Sequence, residues 1–102
     1  MATYFVVIRR RGREYEHDRP LEQQSRWDEH AAFMDALVDE GFIVLGGPLS
    51  EREILHAIRA DDEQEVRVRL AADNWHRNGM LRITSIEPWT ILLDGLGARD
   101  RP

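Results

Sequence analysis

Apolar positions recur along this chain with two different periods, and the switches between them set out an order of elements. Thr3–Arg9 (TYFVVIR) is a β-branched and aromatic run whose length and composition predict a strand. Tyr4, Val6 and Ile8 share one face and Phe5 and Val7 the other, so both faces are apolar, as in a central strand. Residues 10–24 are polar, interrupted by Gly12 and Pro20, and predict a long loop. From Ser25 the period becomes helical. Trp27, His30, Ala31, Met34, Leu37 and Val38 form one stripe, and Asp35, Asp39 and Glu40 take the wet face. Ser25 is the expected N-cap, Asp28 resembles the second half of a capping box, and Gly41 is the expected stop.

The second half repeats the scheme. Phe42–Leu45 predicts a short apolar strand, and Gly46, Gly47 and Pro48 a turn. Glu53–Arg59 alternates weakly and predicts a third strand. Asp61 or Asp62 caps a second helix, with Gln64 or Glu65 completing a capping box, and Val66, Leu70 and Asp73 form its stripe. Asn74 ends that helix and Gly79 breaks the chain. Met80–Glu87 predicts a fourth strand, which Pro88 confines to an edge or bends. Trp89–Leu93 extends it. Residues 94–102 are rich in Gly and Arg and predict a loose tail, leaving 1–93 as one domain.

The order strand, helix, strand, strand, helix, strand is the ferredoxin-like βαββαβ pattern of an α+β protein. It predicts a four-stranded sheet with two helices on one face. The uncovered face retains apolar residues, and a homodimer by sheet-to-sheet packing would cover it.

Composition narrows the function classes. No apolar run approaches the ~18 residues of a membrane span, so no membrane partner is expected. The N-terminus MATYFVVIRRR carries its positive charges after the apolar run and has no small-residue cleavage site, unlike a signal peptide. Cysteine is absent, which excludes thiolate chemistry and disulfides and favours a cytoplasmic setting. All 14 basic residues are arginine, so no lysine can form a Schiff base. A net charge of −5 argues against general nucleic-acid binding, with Arg9, Arg10, Arg11 and Arg13 as a local basic exception.

Among candidate site residues, His30 stands on the apolar stripe of the first helix. Imidazole titrates near neutrality and suits general acid–base work; a core histidine bonded to backbone is the alternative. Asp73 lies on the stripe of the second helix, where a carboxylate needs a partner. It could orient an imidazole, or act as a turn residue bonding nearby backbone. Arg26, four residues before His30, could hold an anionic oxygen or be a surface arginine. Trp27 and Trp75 could wall an aromatic ligand or pack in the core. Gly47 and Pro48, with Gly46, could let backbone approach a ligand or simply turn. His56 alternates with Ile54 and Ile58 and reads as structural, while His17 and His76 read as surface residues. The loop's His17, Arg13 and Arg19 are further contact candidates. No pair of histidines has helix-ligand spacing, and no phosphate loop or dinucleotide fingerprint occurs, so neither metal nor cofactor is expected.

The chain resembles the YciI-like (YCII-related) family of small ferredoxin-like proteins from Tyr4 to Trp89. The ordered features are an aromatic-apolar first strand, His30 early in the first helix, Gly47-Pro48, Asp73 followed by Asn74-Trp75, Gly79, and Pro88-Trp89. Asn74 departs from the proline common after the aspartate in that family, and Arg26 is only near its arginine position. The resemblance implies a dimeric α+β barrel with His30 and Asp73 as a functional pair. One relative in that family looks like a dehydrochlorinase acting on a chlorinated hydroxyquinol. The implied activity is elimination or isomerisation of a small, aromatic-derived compound; a non-catalytic binding or dimerisation module is the alternative. With both helices expected to start at the same sheet end, His30 and Asp73 would lie ~9 Å apart along the helix axes, beyond direct contact.

Overall fold

In the computed structural model, which describes residues 3–98, the strands are β1 Thr3–Arg11, β2 Ile43–Pro48, β3 Glu53–Ala60 and β4 Leu81–Trp89. The helices are α1 Trp27–Asp39, α2 Glu63–Ala71, and the single turns α3 Asn74–Arg77 and α4 Gly95–Ala98. The strands form one antiparallel sheet in the order β2-β3-β1-β4, compatible with a ferredoxin-like α+β fold. Pro88 falls in the edge strand β4, opposite Phe5. The expected tail begins with the turn α4; residues 99–102 and the first two lie outside the described residues.

Alternation along β1 turns Phe5, Val7 and Arg9 inward and leaves Tyr4, Val6 and Ile8 on the other face. Phe5 and Val7 join Ile58, Ile43 and Ile86 of the neighbouring strands. Leu37 of α1 and Val66 and Leu70 of α2 close over them, so both long helices cover the same face. Phe33 packs against this core, whereas Val38, expected on the stripe, is solvent-exposed because it lies just beyond the face that Leu37 centres. α1 ends as a Schellman motif: the Gly41 N–H bonds the Val38 carbonyl, the Phe42 N–H bonds the Leu37 carbonyl, and Gly41 takes φ +81°. At α2, Asp62 accepts from the Glu65 N–H while Glu65 accepts from the Asp61 N–H.

Three local expectations are corrected. The α1 cap is Arg26, at φ 62°, and not Ser25; the Ser25 carbonyl instead accepts a 2.8 Å hydrogen bond from Trp75 Nε1. Gly46, Gly47 and Pro48 are strand residues opposite His56, Leu55 and Ile54, and the turn follows them, where Leu49 and Ser50 N–H groups bond the Glu53 carbonyl. Asp73 is not in α2, which stops at Ala71; it is the N-cap of α3, accepting from the Trp75 N–H.

The loop after β1 is tied down. Gln24 is buried and donates to the Glu16 and Arg19 carbonyls while accepting from the Glu16 N–H. Tyr15 is buried, stands edge-on to Trp75, and carries the Arg11 guanidinium 4.3 Å above its ring. Gly12 crosses so close to Gly79 that a Cβ there would meet the Gly79 carbonyl oxygen at 2.1 Å. Tyr15, Trp75, Met80 and Leu81 form a second core at this end of the sheet.

Candidate functional site

β3 runs antiparallel to β1, so α1 and α2 leave opposite ends of the sheet. The beginning of α1 and the residue just past α2 therefore come to the same end. This reverses the expected ~9 Å offset between His30 and Asp73. His30 Nδ1 lies 2.8 Å from Asp73 Oδ1 and 2.9 Å from Oδ2. A carboxylate can only accept, so Nδ1 carries the proton and the lone pair of neutral His30 is on Nε2. Nε2 makes no hydrogen bond among the described residues.

Asp73 is fully buried and its oxygens are filled. Oδ2 accepts from Arg9 Nη2 at 2.9 Å, and Oδ1 from the Trp75 N–H at 3.1 Å. Burial pushes its pKa upward, but the bonds and charges of His30 and then Arg9 outweigh burial and hold it below the usual carboxylate value. Arg9 is itself fully buried; desolvation lowers its pKa and Asp73 works the other way. The Trp75 indole stacks on the His30 ring at 3.9 Å between centroids and 5° between planes, fixing the imidazole from its face. Trp27 stands 5.9 Å from the His30 ring and 5.8 Å from that of Trp75.

Together these groups border a cavity of about 240 Å³. Its polar lining is two arginines and two histidines: Arg9, Arg11, His30 and His56. Trp27, Trp75, Met34, Ile54, Leu21 and Leu81 supply apolar walls, and Gly46, Gly47 and Pro48 border it along β2. Asp73 stands behind this wall, not in it. His56, opposite Gly46 in the sheet, is buried, and neither ring nitrogen has a hydrogen-bond partner among the described residues. Burial, with the nearby Arg9 and His30 charges, pushes its pKa down to about 4. A Cβ on Gly46 would lie 2.8 Å from His56 Nδ1, so this glycine serves the close pass of the imidazole and not a chain reversal.

Of the residues expected from sequence, His30, Trp27, Trp75, Gly47 and Pro48 line the cavity and Asp73 anchors His30. Arg26 does not join them. Its side chain is exposed and bonds both carboxylate oxygens of Glu29, because the left-handed cap turns it outward; Glu29 also accepts from Asn74. Arg13, His17 and Arg19 stay out of the cavity as well; His17 pairs with Glu51 and Arg19 with Glu16. His76 is half-buried, with Nδ1 sealed from solvent, and is not a surface residue. The groups missed were Arg9 and His56. Continuing the Phe5–Val7 alternation by one step puts Arg9 inward, and the same step from Ile58 puts His56 there.

Among the described residues no group of three His, Cys, Asp or Glu side chains is placed to hold a metal ion, and no helix is long and apolar enough to cross a membrane. What the fold and cavity define is an α+β protein with an oriented imidazole facing a small, mostly apolar chamber. No family model, curated protein or solved structure matches the chain.

Proposed function

We propose that the chain is a small cofactor-independent enzyme of the YciI-like kind, using His30 as general acid or base with Asp73 as its orienting partner. The observation that carries this reading is the His30 Nδ1–Asp73 bond, which leaves a basic Nε2 on a side chain that lines the cavity. In an elimination, Nε2 takes a C–H proton, the C–H electron pair becomes the new double bond, and the leaving group departs with its own pair. In an isomerisation, the same proton returns to a different atom. Arg9, Asp73 and neutral His30 sum to zero charge. Protonation of His30 makes the sum positive, opposing the negative charge that develops on the substrate.

The cavity suits a small compound, since drug-sized ligands occupy roughly 300–1,000 Å³. Trp27 and Trp75 suit a flat, aromatic-derived one, since their rings flank His30. A dimeric α+β barrel formed sheet to sheet belongs to the same proposal. Its support is the apolar face of Tyr4, Val6 and Ile8, continued by the exposed Leu45 and Trp89. A cytoplasmic setting is included on the cysteine-free sequence.

The second reading is a binding module without turnover. It is favoured by the mostly buried His30 ring, clamped under Trp75. A thermal-shift screen of phenolic, lactone and haloaromatic compounds, followed by turnover of the stabilising compounds, separates the two. With His30→Asn we expect turnover to fall by about 10²–10⁴-fold. Unchanged turnover contradicts the assignment of His30.

A further inference from the structure

The His30–Asp73 pair accounts for one side of the cavity and leaves two buried polar groups unused. Arg9 Nε is sealed from solvent and has no partner among the described residues, although Nη2 of the same side chain is bound to Asp73. Both ring nitrogens of His56 are in the same condition. A buried polar atom without a partner carries its full desolvation cost, so three of them on two side chains bordering one cavity call for an explanation. Neutral His56 carries one N–H and Arg9 its Nε–H, so the two lining side chains hold two donors with no protein partner among the described residues. Only arginine and histidine supply charge to the cavity lining. Of the carboxylates paired with these side chains, Asp73 already accepts from His30, Arg9 and the Trp75 N–H, and the exposed Glu51 lies 3.9 Å from Arg11. Glycine at position 46 keeps the His56 ring in its place, since a Cβ would press on Nδ1.

We propose that Arg9 and His56 form the anion-receiving pole of this cavity, and that its ligand is a small apolar carboxylic acid held as the carboxylate. Two acceptor oxygens on one planar group match two separate N–H donors, and the apolar walls take the hydrocarbon part. The inference rests on the cavity being the site proposed above, and it adds the class of compound bound there. His56 acts here as a specificity-determining residue.

Benzoate, benzamide and benzylamine share a ring and differ in the polar end, and calorimetric titration of the full chain compares them directly. Benzoate is expected to bind at least ten-fold more tightly than either of the others, and His56→Leu to lower benzoate affinity about ten-fold or more while leaving benzamide within about three-fold. On the wild-type chain, benzoate is also expected to shift the ring-nitrogen resonances of His56 in a long-range ¹H–¹⁵N spectrum, a readout independent of how the variant folds. Equal binding of the three compounds overturns the inference, as does benzoate binding that leaves the His56 nitrogens unmoved. Because the readout is binding, the inference stands or falls separately from catalysis. Benzoate selectivity without any His30-dependent turnover upholds the carboxylate pole and removes the enzyme reading. His30-dependent turnover without benzoate selectivity does the reverse.

Discussion

The two cores of this protein are built on different terms. Between the helices and the sheet lies a wholly apolar cluster, Phe5, Val7, Leu37, Phe42, Ile43, Ile58, Ala60, Val66, Leu70 and Ile86. Every member belongs to a regular element except Phe42, the residue that closes the Schellman motif. At the sheet end, Tyr15, Trp75, Met80 and Leu81 meet around buried Arg9, His30, His56 and Asp73. That second core is assembled from a loop, a single helical turn and strand ends. The first core holds through apolar area and packing alone. The second holds only if its charges are matched one to one, and it therefore carries groups able to do chemistry. The contrast shows where a domain this small gathers buried polar groups: at the end of the sheet, where irregular segments bring polar side chains against the apolar core.

The largest expected effect comes from breaking the match. Asp73→Ala leaves Arg9 buried without its 2.9 Å partner, and we expect a loss of about 3–5 kcal/mol in urea unfolding. Adding Arg9→Met to that variant should recover part of the loss, because the cost is that of an orphaned charge. Strict additivity of the two substitutions would mean that the end core is held by packing, as the first one is.

The next effect is a pH dependence confined to the second core. His56 has its folded pKa pushed from the ordinary 6.5 down to about 4, so between those values the unfolded chain binds the extra proton. Stability then falls as pH drops through this window, by on the order of 3 kcal/mol. Asp73 has its pKa lowered, so its contribution is fully present above its ordinary value of 3.8 and is lost only at pH below that, outside the His56 window. Unfolding curves from pH 7 to pH 4 should therefore flatten in His56→Leu. An unchanged slope would assign the pH dependence to other groups.

Legibility in the sequence divides along the same line. Period-two and helical stripes placed Phe5, Val7, Leu37, Val66 and Leu70 in elements that pack together, and Gly41 marked a helix end with the geometry it takes. His30 and Trp75 were visible as candidates because each is chemically conspicuous. Arg9 is obscured by the run Arg9-Arg10-Arg11, which reads as a basic patch although Arg9, last residue of the expected strand, is in phase with the inward Phe5 and Val7. The meeting of His30 and Asp73 follows from strand direction, which the βαββαβ order with its short β2–β3 connection already carries: β3 runs against β1, so the start of α1 and the end of α2 share one end of the sheet. Arg26 stays out of the cavity for a local reason. Helix spacing put it beside His30, but it is the cap and not a helical residue, and φ 62° points it at Glu29.

Arg26 gives the smallest predicted effect. Glycine takes the left-handed cap without the steric penalty of a side chain, while the exposed Glu29 pair is screened by solvent. Arg26→Gly should therefore leave stability nearly unchanged or slightly raised, and benzoate affinity as in the wild type. A ten-fold loss of benzoate binding in this variant would return Arg26 to the site.

Asp73 as the acceptor of the Nδ1 proton, with Nε2 left free on the cavity-lining ring, has a spectroscopic signature in the tautomer of His30. A long-range ¹H–¹⁵N spectrum of the folded protein at a pH where His30 is neutral should show a protonated Nδ1 and a bare Nε2. A neutral His30 carrying its proton on Nε2 would contradict the account, because Nδ1 could not then be donating to Asp73 and no base would face the cavity.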